Sequence, residues 1–144
     1  MAPMKVLIAA VGAAALAAAP AVHAEPVSPS GGDSAELAAS ACEFKLTPPT
    51  LTELPGGGRA VTAQLTPSSC TPKSLPFNST ICIASPDGSN TCDTANAWLV
   101  AEVFATSAQF EGKFTANGNG CSRVFVGNST QLVCVPLSPV ELVL

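Results

Sequence analysis

Histidine is almost missing from this chain. Its one example, His23, falls in the first two dozen residues, and tyrosine is absent altogether. Beyond His23 there is therefore no Ser-His-Asp or Cys-His pair to activate a nucleophile, no imidazole for zinc and no histidine general base. Charge is sparse as well, at 11% of residues. The six basic side chains form no cluster, which makes nucleic acid and anionic membranes poor partners, because both are met by grouped Lys and Arg. Cys-x-x-Cys pairs are lacking, which argues against structural zinc. After the N-terminus no apolar run approaches the length of about 20 residues that a spanning helix needs.

The N-terminus itself has a recognisable order. Met1 to Lys5 carries one positive charge, Val6 to Ala19 is an Ala-rich apolar run, and Val22-His23-Ala24 puts small residues where a signal peptidase reads. Residues 1–24 are expected to be a cleaved signal peptide, with cleavage after Ala21 the other position. Loss of Lys5 then sets five basic against ten acidic side chains, a net charge of −5. The expected product is one monomeric domain with no membrane insertion after cleavage, secreted or held at the exterior of the cell envelope. Residues 25–41, EPVSPSGGDSAELAASA, read as a mobile arm with room for one short helical turn at Asp33 to Glu36. Residues 42–144 read as the folded domain.

Six cysteines follow the signal: Cys42, Cys70, Cys82, Cys92, Cys121 and Cys134. An even count in an exported chain reads as three disulfides. Pro86-Asp87-Gly88 suits a three-residue hairpin loop, and counting outward from it pairs Ser85 with Ser89, Ile83 with Thr91 and Cys82 with Cys92. Gly127-Asn128 suits a type II′ turn that pairs Val126 with Ser129 and Cys121 with Cys134. Cys42 and Cys70 remain for each other. The competing arrangement is one long bridge between two sheets, as in antibody domains.

Period-two alternation runs through the domain at Cys42-Phe44-Leu46, Val61-Ala63-Leu65 and Phe110-Gly112-Phe114. Thr80 to Ala84 and Ala97 to Thr106 are apolar on both faces, as interior strands are. Asn117-Gly118-Asn119-Gly120 reads as a hairpin turn, and Gln131 to Val135 and Val140 to Val143 as strands. The expected fold is all-β, an antiparallel immunoglobulin-like sandwich of about 7–9 short strands. Trp98 is expected in its core.

Two groups of side chains invite a functional reading. Glu102 and Glu111 sit on neighbouring candidate strands, the pattern of a glycosidase acid and nucleophile, but two acids on a small sandwich without a cleft read as surface residues. Cys70-Thr71-Pro72-Lys73-Ser74 resembles the reactive loops of small secreted serine-protease inhibitors, in which Lys directs binding to trypsin-like enzymes. That resemblance implies a rigid, extended Thr71–Pro76 loop with Pro72, Lys73 and Ser74 at its centre.

Two wider resemblances add to this. The leader and the segments RAVTAQLTPSSC and NGNGCSRVF are similar to uncharacterised exported proteins of mycobacterial-type actinobacteria, which implies export and no glycosylation at Asn78 or Asn128. The Cys82–Cys92 spacing resembles a disulfide hairpin of the actinobacterial chromoprotein apoproteins, which implies an immunoglobulin-like sandwich. The expected function is non-catalytic binding of a protein or small-molecule ligand that the sequence does not name, without a cofactor. The alternative is protease inhibition through Lys73. Binding residues are expected in the loops Thr71 to Ser79, Pro86 to Asn90 and Asn117 to Gly120.

Overall fold

The computed structural model describes residues 31–144; the expected signal peptide and residues 25–30 of the expected arm lie outside the described residues. One helix, α1 (Gly31–Ser40), precedes nine strands among the described residues. These are β1 (Glu43–Leu46), β2 (Thr50–Glu53), β3 (Arg59–Ser69), β4 (Ser74–Ala84), β5 (Asn90–Asn96), β6 (Ala101–Ala105), β7 (Lys113–Val126), β8 (Ser129–Pro136) and β9 (Val140–Val143). They form the expected antiparallel, immunoglobulin-like sandwich of two sheets. In the first, β6 pairs along one edge of β3, while β1 and β2 share the other end to end. In the second, β4 and then β5 lie on one side of β7, while β8 and β9 share its other edge.

Proline explains both divided edges. Pro48 and Pro49 separate β1 from β2, while Pro136 ends β8 and Pro139 precedes β9, because a residue without an N–H cannot donate to the ladder. Each gap is stitched by a backbone bond of 2.9 Å, from Thr47 N–H to the Gln64 carbonyl and from Leu137 N–H to the Gly118 carbonyl.

The core lies between the sheets and is built from Val61, Leu65, Ile81, Ile83, Val103 and Phe114, with alanines between them. Each such large side chain, once buried, contributes about 1.5–3 kcal/mol. Trp98 is not among them, contrary to expectation: it is 54% exposed. Register gives the reason. Ala101, Val103 and Ala105 face Leu65, Ala63 and Val61, so β6 begins only at Ala101 and the residues before it form the turn out of β5.

A second correction concerns Asn117-Gly118-Asn119-Gly120, which is no hairpin turn but the middle of β7. Both glycines face the opposite sheet. A Cβ on Gly120 would collide with the ring of Phe44, and one on Gly118 would stand 3.2 Å from Leu65 Cδ2. These glycines let two sheets approach closely. The strand expected from Phe110 also starts later, at Lys113, after a loop that ends at Gly112 with φ of 122°.

All three disulfides join the expected cysteines: Cys42–Cys70, Cys82–Cys92 and Cys121–Cys134. Both counted registers hold, with Cys82 opposite Cys92 and Cys121 opposite Cys134. Gly88 (φ 83°) and Gly127 (φ 58°) take the left-handed positions their turns require. Every bridge lies within one sheet, and none follows the inter-sheet pattern.

Candidate functional site

Strand directions divide the loops between two ends of the sandwich. Residues 70–73, 97–100 and 127–128 lie at one end, which α1 accompanies; residues 54–58, 85–89 and 106–112 lie at the other. At most one helical turn was expected ahead of Cys42, yet ten residues are helical. Side-chain and covalent ties hold the C-terminal end of α1. Thr71 Oγ1 donates to the Ser40 carbonyl at 3.0 Å, Cys42 N–H donates to buried Ser122 Oγ at 2.9 Å, and Cys42 is bonded to Cys70. Ala41 and Cys42 are buried as a result.

The candidate loop is part of this anchorage. Ser74 N–H donates to the Thr71 carbonyl at 3.1 Å, which closes a tight turn with Pro72 and Lys73 at its tip. The Lys73 carbonyl accepts from Phe125 N–H at 2.8 Å. Pro72 and Lys73 are exposed, but Ser74 is buried and already begins β4. The extended Thr71–Pro76 loop that an inhibitor would present is therefore corrected to a two-residue turn followed by a paired strand. Ser74, Leu75 and Pro76 are paired along one edge with β7.

Beside that turn, α1 and the β7–β8 hairpin enclose an open cleft of about 660 Å³. Its walls include Leu37 from the helix and Val124, Phe125 and Val126 from β7, with Lys73 and Glu36 on the lining. Ser40 and Gln131 also line it, so apolar and polar groups share the surface about equally, and a volume of this size suits a small molecule with both kinds of group. Leu37 is the one large apolar side chain α1 offers, and the sequence signal for its docking was correspondingly faint.

Other candidates disperse. Glu102 points outward from edge strand β6, where its Oε1 accepts from Gln64 Nε2 at 2.8 Å, while Glu111 is exposed in the loop before β7. They share no hydrogen-bond partner. Asn128 is exposed in its turn, and Asn78 lies within β4. Of the cations, Lys113 pairs with Glu141 at 2.9 Å, Arg59 stacks on Phe110 and Arg123 on Phe77. Among the described residues Lys73 has no carboxylate within salt-bridge distance, and no three His, Cys, Asp or Glu side chains are grouped to hold a metal.

The Pro86–Asn90 loop, at the far end, is a structural tie. Asp87 Oδ1 accepts from Ser89 Oγ at 2.6 Å and Ser89 N–H at 2.9 Å, and its Oδ2 accepts from Ser107 Oγ at 2.8 Å and Ala108 N–H at 3.2 Å. These bonds, the Ser89 hydroxyl first, hold its carboxyl well below the usual carboxylate range. Comparison with protein-family models, curated proteins and solved structures finds no match.

Proposed function

We propose that this is an exported, non-catalytic binding protein that takes a small amphipathic molecule in the cleft between α1 and the β7–β8 hairpin. The observation that carries this reading is the cleft itself: Leu37, Phe125 and Val126 supply apolar lining, Glu36, Ser40 and Gln131 add polar contacts, and the Lys73 amine offers one for an anionic group. Three disulfides support an oxidising destination, and no helix among the described residues is long and apolar enough to cross a membrane. The tight turn at Lys73 favours this reading over protease inhibition, which calls for an extended loop, and makes that lysine available as a ligand contact.

8-Anilinonaphthalene-1-sulfonate, an apolar body with one sulfonate, is a suitable probe. Its fluorescence should rise on titration with the disulfide-intact protein and saturate at one site. Leu37→Asp should weaken binding about tenfold by placing a charge in the apolar wall, and Lys73→Ala a few-fold, as an exposed charge contact does. Equal binding by wild type and Leu37→Asp would remove the cleft as the site.

A further inference from the structure

The turn between β5 and β6 exposes three consecutive large apolar side chains: Trp98 at 54%, Leu99 at 67% and Val100 at 45%. The backbone beneath them is held firmly. Ala97 N–H donates to the Phe77 carbonyl at 2.9 Å and Leu99 N–H to the Asn96 carbonyl at 3.1 Å. Ala97 takes a φ of 51°, a left-handed conformation that non-glycine residues adopt at a cost. Folding thus accepts local strain to display side chains that the core would otherwise take.

We infer that the Trp98-Leu99-Val100 tip is a docking element that enters the surface of an electrically neutral lipid layer. Three observations select this occupant. The first is charge: from Thr94 to Ala101 no side chain is ionisable, and the flanking groups, Asp93 and Glu102, are acidic. Both are tied at the base of the turn, Asp93 Oδ2 to Glu102 N–H at 3.0 Å and Glu102 to Gln64. Arg123, on β7 next to this region, is stacked on Phe77. The cations at this end, Lys73 and Arg123, lie outside the tip on other segments, so the tip itself carries nothing that would seek anionic headgroups.

The second observation is area. Three side chains expose a few hundred Å² at most, whereas a stable protein interface needs about 800 Å² from each partner. Partition into a lipid interface has no such threshold and scales with the apolar area inserted. The third is chemistry: an indole with an apolar face and one N–H donor suits the boundary between headgroups and acyl chains. This contact is superficial; it needs no spanning segment and is separate from the cleft.

Trp98 is the chain's one tryptophan, so its emission reports the contact directly. Titration with phosphatidylcholine vesicles should shift that emission to the blue and carry the protein into the vesicle fraction on flotation. The paired change Leu99→Asn and Val100→Thr keeps the reporter, lies on the surface, and should weaken partition at least about tenfold. Adding phosphatidylglycerol should not strengthen binding. Unchanged emission with phosphatidylcholine, or equal partition by the double variant, would overturn the inference. So would a blue shift that follows protein concentration without lipid and accompanies a doubled mass, since the tip would then bind a second copy.

Discussion

The two ends of the sandwich solve loop ordering by different means. At the far end, polar groups satisfy one another: Asp87 holds Ser89, Ser107 and Ala108, Gly112 and Leu144 exchange backbone bonds of 3.0 Å, and Arg59 covers Phe110. At the helix end, order comes from the Cys42–Cys70 bridge and from the ties of α1, while apolar side chains face outward. Of eleven exposed large apolar side chains among the described residues, seven lie there: Leu75, Trp98, Leu99, Val100, Phe125, Val126 and Leu132. Apolar exposure is thus concentrated at the end that holds both the proposed cleft and the proposed lipid contact. The far end is chemically finished, and the helix end is not.

The largest expected effect comes from removing the covalent brace of the helix end. Replacing Cys42 and Cys70 by Ala opens a bridge that spans 28 residues and should cost about 3–4 kcal/mol, read as a lower denaturation midpoint. Hydrogen exchange should rise at Ser74 and in α1 and stay unchanged at Ala108. Equal loosening at both ends would break the distinction between them and make the sandwich a single cooperative unit.

A smaller effect is expected where the helix-end strands meet the opposite sheet. Gly120→Ala sets a methyl group against the Phe44 ring; a urea midpoint should report a loss of about 1–3 kcal/mol, as overpacking does. Gly118→Ala should cost less, since Leu65 Cδ2 lies 3.2 Å from the added carbon and can shift. If Gly120→Ala were neutral, the close approach of the sheets would not depend on that glycine.

These glycines also show which features a sequence can display. The hairpins at Gly88 and Gly127 were legible because the turn residues and the pairs they set are neighbours in the chain, so counting outward reached Cys82–Cys92 and Cys121–Cys134. Cys42–Cys70 followed by elimination. Asn117-Gly118-Asn119-Gly120 has the same local chemistry as a turn, but its conformation is decided by Phe44 and Leu65, distant in sequence. Trp98 was misplaced for a related reason: the pairing of Ala101 with Leu65 sets where β6 starts, and no local pattern carries that register. The cleft was the least legible. It needs Leu37 to meet Val124 and Val126 across most of the domain, and one leucine in an Ala-rich helix is a weak signal. Lys73 is exposed, but the hydrogen bond from Phe125 that folds its loop joins residues distant in sequence and leaves no local signal.

The smallest expected effect is at the far end and depends on pH. Hydrogen bonds from Ser89, Ser107 and Ala108 favour the charged form of Asp87 in the folded protein. Its folded pKa is therefore lower than the unfolded value of about 4, and folding releases protons in the range between the two. The sign follows: the stabilising contribution is complete above about pH 4 and is lost as pH falls below it toward the folded value. Asp87→Asn should accordingly be less stable than wild type at neutral pH, with the gap closing in acid. Because Asp87 is exposed, solvent screening keeps this gap small, and hydrogen exchange at Ala108 is a more sensitive readout than a global midpoint. Exchange at Ser74 should be indifferent to this substitution at every pH. A gap that persists undiminished to about pH 2 would mean that shape, rather than charge, is what Asp87 supplies to the turn; since Cys82–Cys92 already braces that hairpin, the contrast with the helix end would then reduce to apolar exposure.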